Sequence, residues 1–312
     1  ERLGYPKSFT IYDSDDSLRA MQEAYKQYNI DDKFLPQKAA LSAIGRLKDQ
    51  MVGPSQAVAA AGSDPRAKLV ATAYEGYAKR LASAGAMDFD DLIYQTVLLL
   101  QNHKDVLEYY RNRWRYILVD EYQDTSIAQF QLVSLLAAGH NNICVVGDDD
   151  QSIYRFRGAT IENILSFEKS FPGAKVVRLE QNYRSTSSIL DAANRVIKNN
   201  VGRKGKTLWT ANGDGDEVQL YRAENEQDEA AHIASIIGEN LKAGANLRDH
   251  AVLYRMNAQS NPVEMYFARA GIPYKIVGGR RFFDRKEVKD ILSYLSVIAN
   301  PRDDLRLRRI IN

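Results

Sequence analysis

Cysteine is nearly absent: one thiol, Cys144, in 312 residues leaves no disulfide framework, and a reducing, cytoplasmic setting is the expectation. Cys144 sits in the apolar run Ile143 to Val146, where it reads as a small buried hydrophobe. Four histidines, His103, His140, His232 and His250, are scattered without ligand spacing, so no zinc centre is expected. Charge of one sign is lacking too. The net charge of +2 does not announce a nucleic-acid partner, so any such surface must be local. No apolar run approaches a membrane span, and no signal-like segment, solenoid repeat or low-complexity tract is read. With 45% hydrophobic and 26% charged residues, an ordinary globular chain remains, its length suggesting about two domains. It starts at Glu1 and stops at Asn312 after "LRLRRIIN" without tapering, which reads as a piece of something longer.

Residues 1 to about 85 read as mostly helical, with amphipathic stretches Ser17 to Tyr28 and Ala67 to Ala84, and a loop by composition at Gly53 to Pro65. From Asp88 three short apolar runs follow, Ile117 to Val119, Ile143 to Val146 and Val176 to Leu179. Helical patterns separate them, Ser126 to Ala138 and Thr160 to Phe171. This β-α-β-α-β rhythm predicts a parallel sheet with helices on both faces and all three strand ends on one side. Later strand-like runs, Val218 to Tyr221, Ala251 to Tyr254 and Tyr274 to Val277, alternate with helical patterns at 226–242 and 261–270, as in a second α/β unit.

The polar residues waiting at those ends carry the chemistry. "VDEYQDT" leaves its strand with Asp120 and Glu121 side by side. Acids there can cap the helix starting near Ser126, but a cap uses Asp124 or Thr125 and leaves the first pair unexplained. One carboxylate can hold Mg²⁺ against phosphates while its neighbour orients or deprotonates water. "GDDDQSIYRFRGA" follows the next strand, with Gln151 able to sense a terminal phosphate. Tyr154, Phe156 and Arg157 interleave rings with guanidinium groups, a surface that suits single-stranded nucleic acid. The third run gives "LEQNYRST", where Arg184 is either a surface ion pair or a finger on a phosphoryl group, and Tyr183 either stacks on a base or fills core.

Together and in this order, these three motifs resemble motifs II, III and IV of the UvrD/PcrA/Rep-type superfamily 1 DNA helicases. The resemblance extends to "DFDDLI" at 88–93, "AVLYRMNAQS" at 251–260 and "VGGRRFFDRKEVKDILSYLSVIANP" at 277–301. It implies an α/β fold of RecA-like parallel sheets with a helical insertion: residues 1–86 as the insertion, 87–180 as the second part of the first RecA-like domain, 181–312 as the first part of the second. It implies ATP and Mg²⁺, single-stranded DNA and its junctions with duplex as partners, and 3′-to-5′ translocation. Residue by residue, Asp120 would coordinate Mg²⁺, Glu121 activate water, Gln151 contact the γ-phosphate and Arg184 reach it from the second domain. Tyr183 would stack on adenine, and Tyr154, Phe156, Arg157, Arg255 and Asn257 would touch DNA.

Some positions depart from the family pattern. Phe156 replaces the usual Trp, keeping a smaller stacking face without the indole donor; Asp149 adds a charge where the family is small or Pro; Lys48-Asp49 stands for Lys-Asn. A glycine-rich phosphate loop ending Lys-Ser/Thr is not found. Gly205-Lys206-Thr207 is the nearest candidate, but no buried strand precedes it, so it reads as a decoy. The arginine-bearing motif VI is missing too. The chain alone is therefore expected to hydrolyse little or no ATP. In "MDFDDLI", Asp88, Asp90 and Asp91 read as helix caps rather than a metal cluster. Arg280, Arg281 and Arg285 around Phe282 and Phe283 read as a hinge toward an insertion. Two further functions stay open: a non-catalytic DNA-binding or regulatory module, and a metal-dependent nuclease using the same acids.

Overall fold

A computed structural model describes residues 1–277 and 286–311; the expected hinge at Arg280, Arg281, Phe282, Phe283 and Arg285 lies outside the described residues. The chain forms two compact units. The larger comprises Glu1–Glu180, Arg195–Thr207 and Lys286–Asn312, the smaller Gln181–Asn194 and Leu208–Arg285.

In the larger unit, helices α1 (Ser14–Tyr28), α2 (Gln37–Asp49), α3 (Pro54–Ala60) and α4 (Pro65–Ser83) enclose a core that includes Tyr12, Met21, Ile44, Tyr74, Tyr77 and Leu81. Each helix end has a local cause. Asp13 caps α1 by accepting from the Asp15 and Asp16 N–H groups, and Asn29 closes it in the left-handed region at φ 51°. The segment 53–65 contains a helix where a loop is expected, because Pro54 presets the first turn and the Gln56 amide accepts from the Gly53 N–H. Strand β1 (Thr10–Ile11) pairs in parallel with β2 (Ala86–Met87), clasping the two ends of this helical layer.

Lys48 is the one charged residue on the buried stripe of α2, four residues after Ile44, and is only 3% exposed. Its ammonium lies 2.7 Å from Asp88 and 2.8 Å from Asp91. Those carboxylates also cap α5 (Phe89–Asn102) as expected, each accepting from the other's backbone N–H, and the Tyr77 hydroxyl donates to Asp88 at 2.9 Å. Residues 88–91 therefore serve both as the start of α5 and as the anchor of α2.

After α6 (Lys104–Arg113) the expected parallel strands form, β3 (Ile117–Val119) and β4 (Ile143–Val145), with α7 (Ile127–Ala137) between them. Ser126 caps α7 by accepting from Gln129, whose side chain accepts from the Ser126 N–H in return. The burial expected on both faces is not found. Leu118 is 80% exposed, and the register sets it beside Cys144, which is exposed rather than buried. Ile117 and Val119 are half-buried, so a two-stranded sheet covers one face and leaves the Leu118–Cys144 face open. The third run, Val176 to Leu179, forms no strand and leaves Val176, Val177 and Leu179 exposed. The second spacer breaks into α8 (Glu162–Leu165) and α9 (Phe167–Ser170), because the Asn163 amide is drawn into bonds with Thr125 and Ser126.

Helices α13 (Lys286–Ala299) and α14 (Asp304–Ile311) complete the larger unit and bind the helical layer through charge. Lys289 meets Asp13 and Asp15, Arg306 meets Asp16 at 2.5 Å, Arg308 meets Glu23, and Arg80 bridges Glu23 and Asp304. Beneath these pairs the Tyr12 hydroxyl donates to buried Asp303 at 2.8 Å, and the Asn300 amide donates to Thr10, Ala84 and Gly85.

The smaller unit holds most of α10 (Ser187–Ile197), with α11 (Glu226–Lys242) and α12 (Ser260–Ala270) close to their expected spans. Its strands are not as expected. Val218 to Tyr221, Ala251 to Tyr254 and Tyr274 to Val277 are irregular, and among the described residues the unit has one isolated bridge, Gln181 to Trp209. An apolar run becomes a strand only when another edge supplies its hydrogen bonds. The fold is thus α/β and helix-rich, with two small parallel sheets among the described residues. Among the described residues no helix is long and apolar enough to cross a membrane.

Candidate functional site

The β3–β4 ladder continues past both strand ends, since the Val146 N–H donates to Val119 and the Tyr122 N–H donates to Val146. The two segments that follow therefore leave the sheet side by side. Asp120 and Glu121 emerge exposed, and an Asp120 oxygen accepts from the Glu121 N–H at 2.9 Å. Glu121 has φ 49°, a left-handed conformation that is costly for a side chain with a Cβ. Tyr122 and Gln123 turn back into the protein and are buried.

The second segment is bonded to the first. Gly147 lets the chains approach, because a Cβ there would lie 2.7 Å from Gln123 Oε1 and 3.1 Å from the Tyr122 nitrogen. The Asp148 N–H donates to Gln123 Oε1 at 2.9 Å, and Gln123 Nε2 donates to Glu121 Oε2 at 2.8 Å. Gln151, itself exposed, donates to Asp148 Oδ2 at 2.7 Å. Glu121 and Gln151 are thus joined through Gln123 and Asp148.

The three acids Asp148, Asp149 and Asp150 have the proximity of a cation site, but basic residues already meet them. Arg203 grips Asp150 with two bonds of 2.6 Å, Lys206 pairs with Asp148, and the Lys204 N–H donates to Asp149 at 2.7 Å. Burial alone would raise Asp148, but the Lys206 and Gln151 bonds hold it below the usual carboxylate range. The Asp149 departure thus has a backbone partner. Gly205-Lys206-Thr207 follows no strand and opens no helix, so its Lys belongs to this charge cluster rather than to a phosphate loop.

Beyond Gln151 the chain exposes Tyr154 and Phe156, whose ring centres are 5.9 Å apart. The Arg157 guanidinium lies 5.2 Å from the first ring and 5.6 Å from the second. Phe156 is 62% exposed, so its ring is open to a stacking partner. A cavity of about 620 Å³ opens beside the three side chains, with Asp49 and Asp90 on its wall. Burial, then the nearby Asp90, pushes Asp49 up to about 6.

In the smaller unit Asn182 Oδ1 accepts from the Arg184 and Ser185 N–H groups, and the Asn212 amide donates to the Tyr183 and Ser185 carbonyls. This tight turn presents Tyr183 and Arg184 to solvent. Arg255 and Asn257 lie exposed at the turn before α12, where Gln259 accepts from the Arg255 N–H at 3.1 Å.

Asp120, Glu121, Gln151, Tyr154, Phe156 and Arg157 therefore lie on two bonded segments of one unit, while Tyr183, Arg184, Arg255 and Asn257 belong to the other. Gln123 and Arg203 have no place among the residues expected from sequence, and Lys206 enters there only as part of the decoy phosphate loop. Gln123 had one available signal, an amide at the second position after a carboxylate pair.

Comparison with known proteins places the chain in one family along its whole length. The UvrD/REP helicase N-terminal domain matches residues 1–172, and the UvrD-like helicase C-terminal domain matches 177–312. The chain is 50% identical over its whole length to the ATP-dependent DNA helicase PcrA of Staphylococcus epidermidis, and 49% identical to that of Staphylococcus aureus. In each case it spans 43% of the relative's length.

Proposed function

Because the chain belongs to the UvrD/REP helicase family, we propose that it forms the central part of an ATP-driven motor that moves 3′ to 5′ on single-stranded DNA and opens its junctions with duplex, in the cytoplasm. By chain segment, residues 1–86 are the helical insertion, 87–180 the second part of a first RecA-like domain and 181–312 the first part of a second. The observation that supports this most is the bonded path from Glu121 through Gln123 and Asp148 to Gln151, which puts a carboxylate base and an amide phosphate sensor on adjoining loops.

Each residue then has a task. Asp120, an exposed oxygen donor at a strand end, suits a hard cation and would hold Mg²⁺, which supplies charge neutralisation to the phosphates when bound. Glu121 takes a proton from the attacking water, Gln151 contacts the γ-phosphate, and Arg184 stabilises its charge. Tyr183 stacks on adenine. Tyr154, Phe156 and Arg157 hold successive bases and a phosphate, with Arg255 and Asn257 adding contacts.

The isolated 312-residue chain, lacking a phosphate loop, is expected to show little or no DNA-stimulated ATP turnover; robust turnover measured on it would refute this. In the full-length protein, Phe156→Ala should weaken single-strand binding by about 5- to 100-fold, the worth of one stacking contact. Arg157→Ala should also reduce its salt dependence. Unchanged fluorescence anisotropy titrations for both variants would discredit the stacking patch.

A further inference from the structure

Gln123 is 1% exposed between two segments whose functional residues are exposed, and both ends of its amide are used. Nε2 donates to Glu121 Oε2 at 2.8 Å, and Oε1 accepts from the Asp148 N–H at 2.9 Å. Its backbone carbonyl also receives the Ser152 hydroxyl at 3.4 Å. Only a primary amide can serve both neighbours at this length. A carboxylate accepts from Asp148 but repels Glu121, and an ammonium donates but cannot accept. Gly147 leaves the space in which this bond is made.

Glu121 itself stands at φ 49°, so its backbone is held in an uncommon conformation and its carboxylate is aimed by the Gln123 amide. The same amide holds Asp148, whose carboxylate in turn receives Gln151 at 2.7 Å. We propose that Gln123 is a positioning residue for ATP hydrolysis: one buried amide fixes the base and the γ-phosphate contact relative to each other. This rests on the motor function proposed above. A purely structural amide would affect folding stability; a positioning amide affects the chemical step and the transmission toward Tyr154–Arg157.

The test uses the full-length protein with Gln123→Glu and Gln123→Met. It measures kcat and KM for ATP with saturating single strands, single-strand affinity with and without a non-hydrolysable ATP analogue, and thermal midpoint. Gln123→Glu keeps the shape and the acceptor for Asp148 but sets a second carboxylate against Glu121. It should lower kcat by about 10- to 100-fold, the scale of a displaced reacting group, with KM within about threefold. The analogue should still change its DNA affinity as in the wild type. Gln123→Met severs both links and should lose that nucleotide-dependent change as well.

Wild-type kcat in both variants overturns the proposal, as does a loss of kcat that merely follows a fall in thermal midpoint. Glu121→Gln serves as the control. If it keeps wild-type turnover, the assignment of the base itself is wrong; if it is inactive while Gln123→Glu is not, only the role of Gln123 falls.

Discussion

Glu121→Gln in the full-length protein lowers kcat for DNA-stimulated ATP hydrolysis by about 10²- to 10⁴-fold, the contribution of a positioned general base, and leaves KM for ATP within about threefold. The expectation follows from what the substitution preserves. Gln has the shape of Glu, and Gln123 Nε2 still finds an oxygen at the same place, so the loop keeps its main side-chain bond. The left-handed backbone at position 121 strains both residues alike. What is lost is the ability to accept a proton from water, an interaction realised only in the transition state. Steady-state kinetics, with filter binding as a check on DNA affinity, measures both quantities. A variant that retains more than about a tenth of wild-type kcat would place the base elsewhere.

Lys48→Met should destabilise the protein by about 3 to 5 kcal/mol near neutral pH, the scale for removing one partner of a buried ion pair. Asp88 and Asp91 would then face each other in the core with no cation. In the wild type, burial works against Lys48, yet the two carboxylates raise it above the ordinary lysine value. Burial would also raise Asp88, but Lys48 holds it below the usual range, whereas burial prevails at Asp91 and carries it to about 6. A carboxylate whose folded pKa exceeds its unfolded value of about 4 loses stability as pH rises between the two and is level above them. Without the ammonium that window extends upward. The deficit of the variant should therefore be largest above about pH 7 and shrink toward pH 5, as the carboxylates take up a proton. Denaturant titrations at pH 5 and 8 measure it. Equal deficits at the two pH values would mean that lost packing, not unpaired charge, sets the cost.

The motif-bearing half of the larger unit was legible because its signals are local. The runs before Asp120 and Gly147 are apolar enough to be strands and the helix after the acids starts where expected, although its cap is Ser126 with Gln129 rather than the expected Asp124 or Thr125. What failed depended on partners that a run cannot name. Val176 to Leu179 and the three runs of the smaller unit have strand composition but, among the described residues, no edge that pairs with them. Cys144 and Leu118 read as core because continuous apolar runs belong to sheets covered on both faces, whereas this sheet has one bare face. Gln123 escaped notice because burial of one amide within a polar stretch has no periodic signature. Lys48 could have been found: it continues the stripe of Ala40 and Ile44 at spacings of four, a place where a lysine needs a partner.

The return of α13 and α14 to the first helices lets residues nearly three hundred positions apart share one interior. Cohesion between the first helices and α13–α14 is consequently electrostatic on its rim and hydrogen-bonded at its centre, with Arg80 taking part in the first and the Ala84 and Gly85 carbonyls in the second. High ionic strength, which weakens the rim first, is the solvent condition that would let the two sets of helices part.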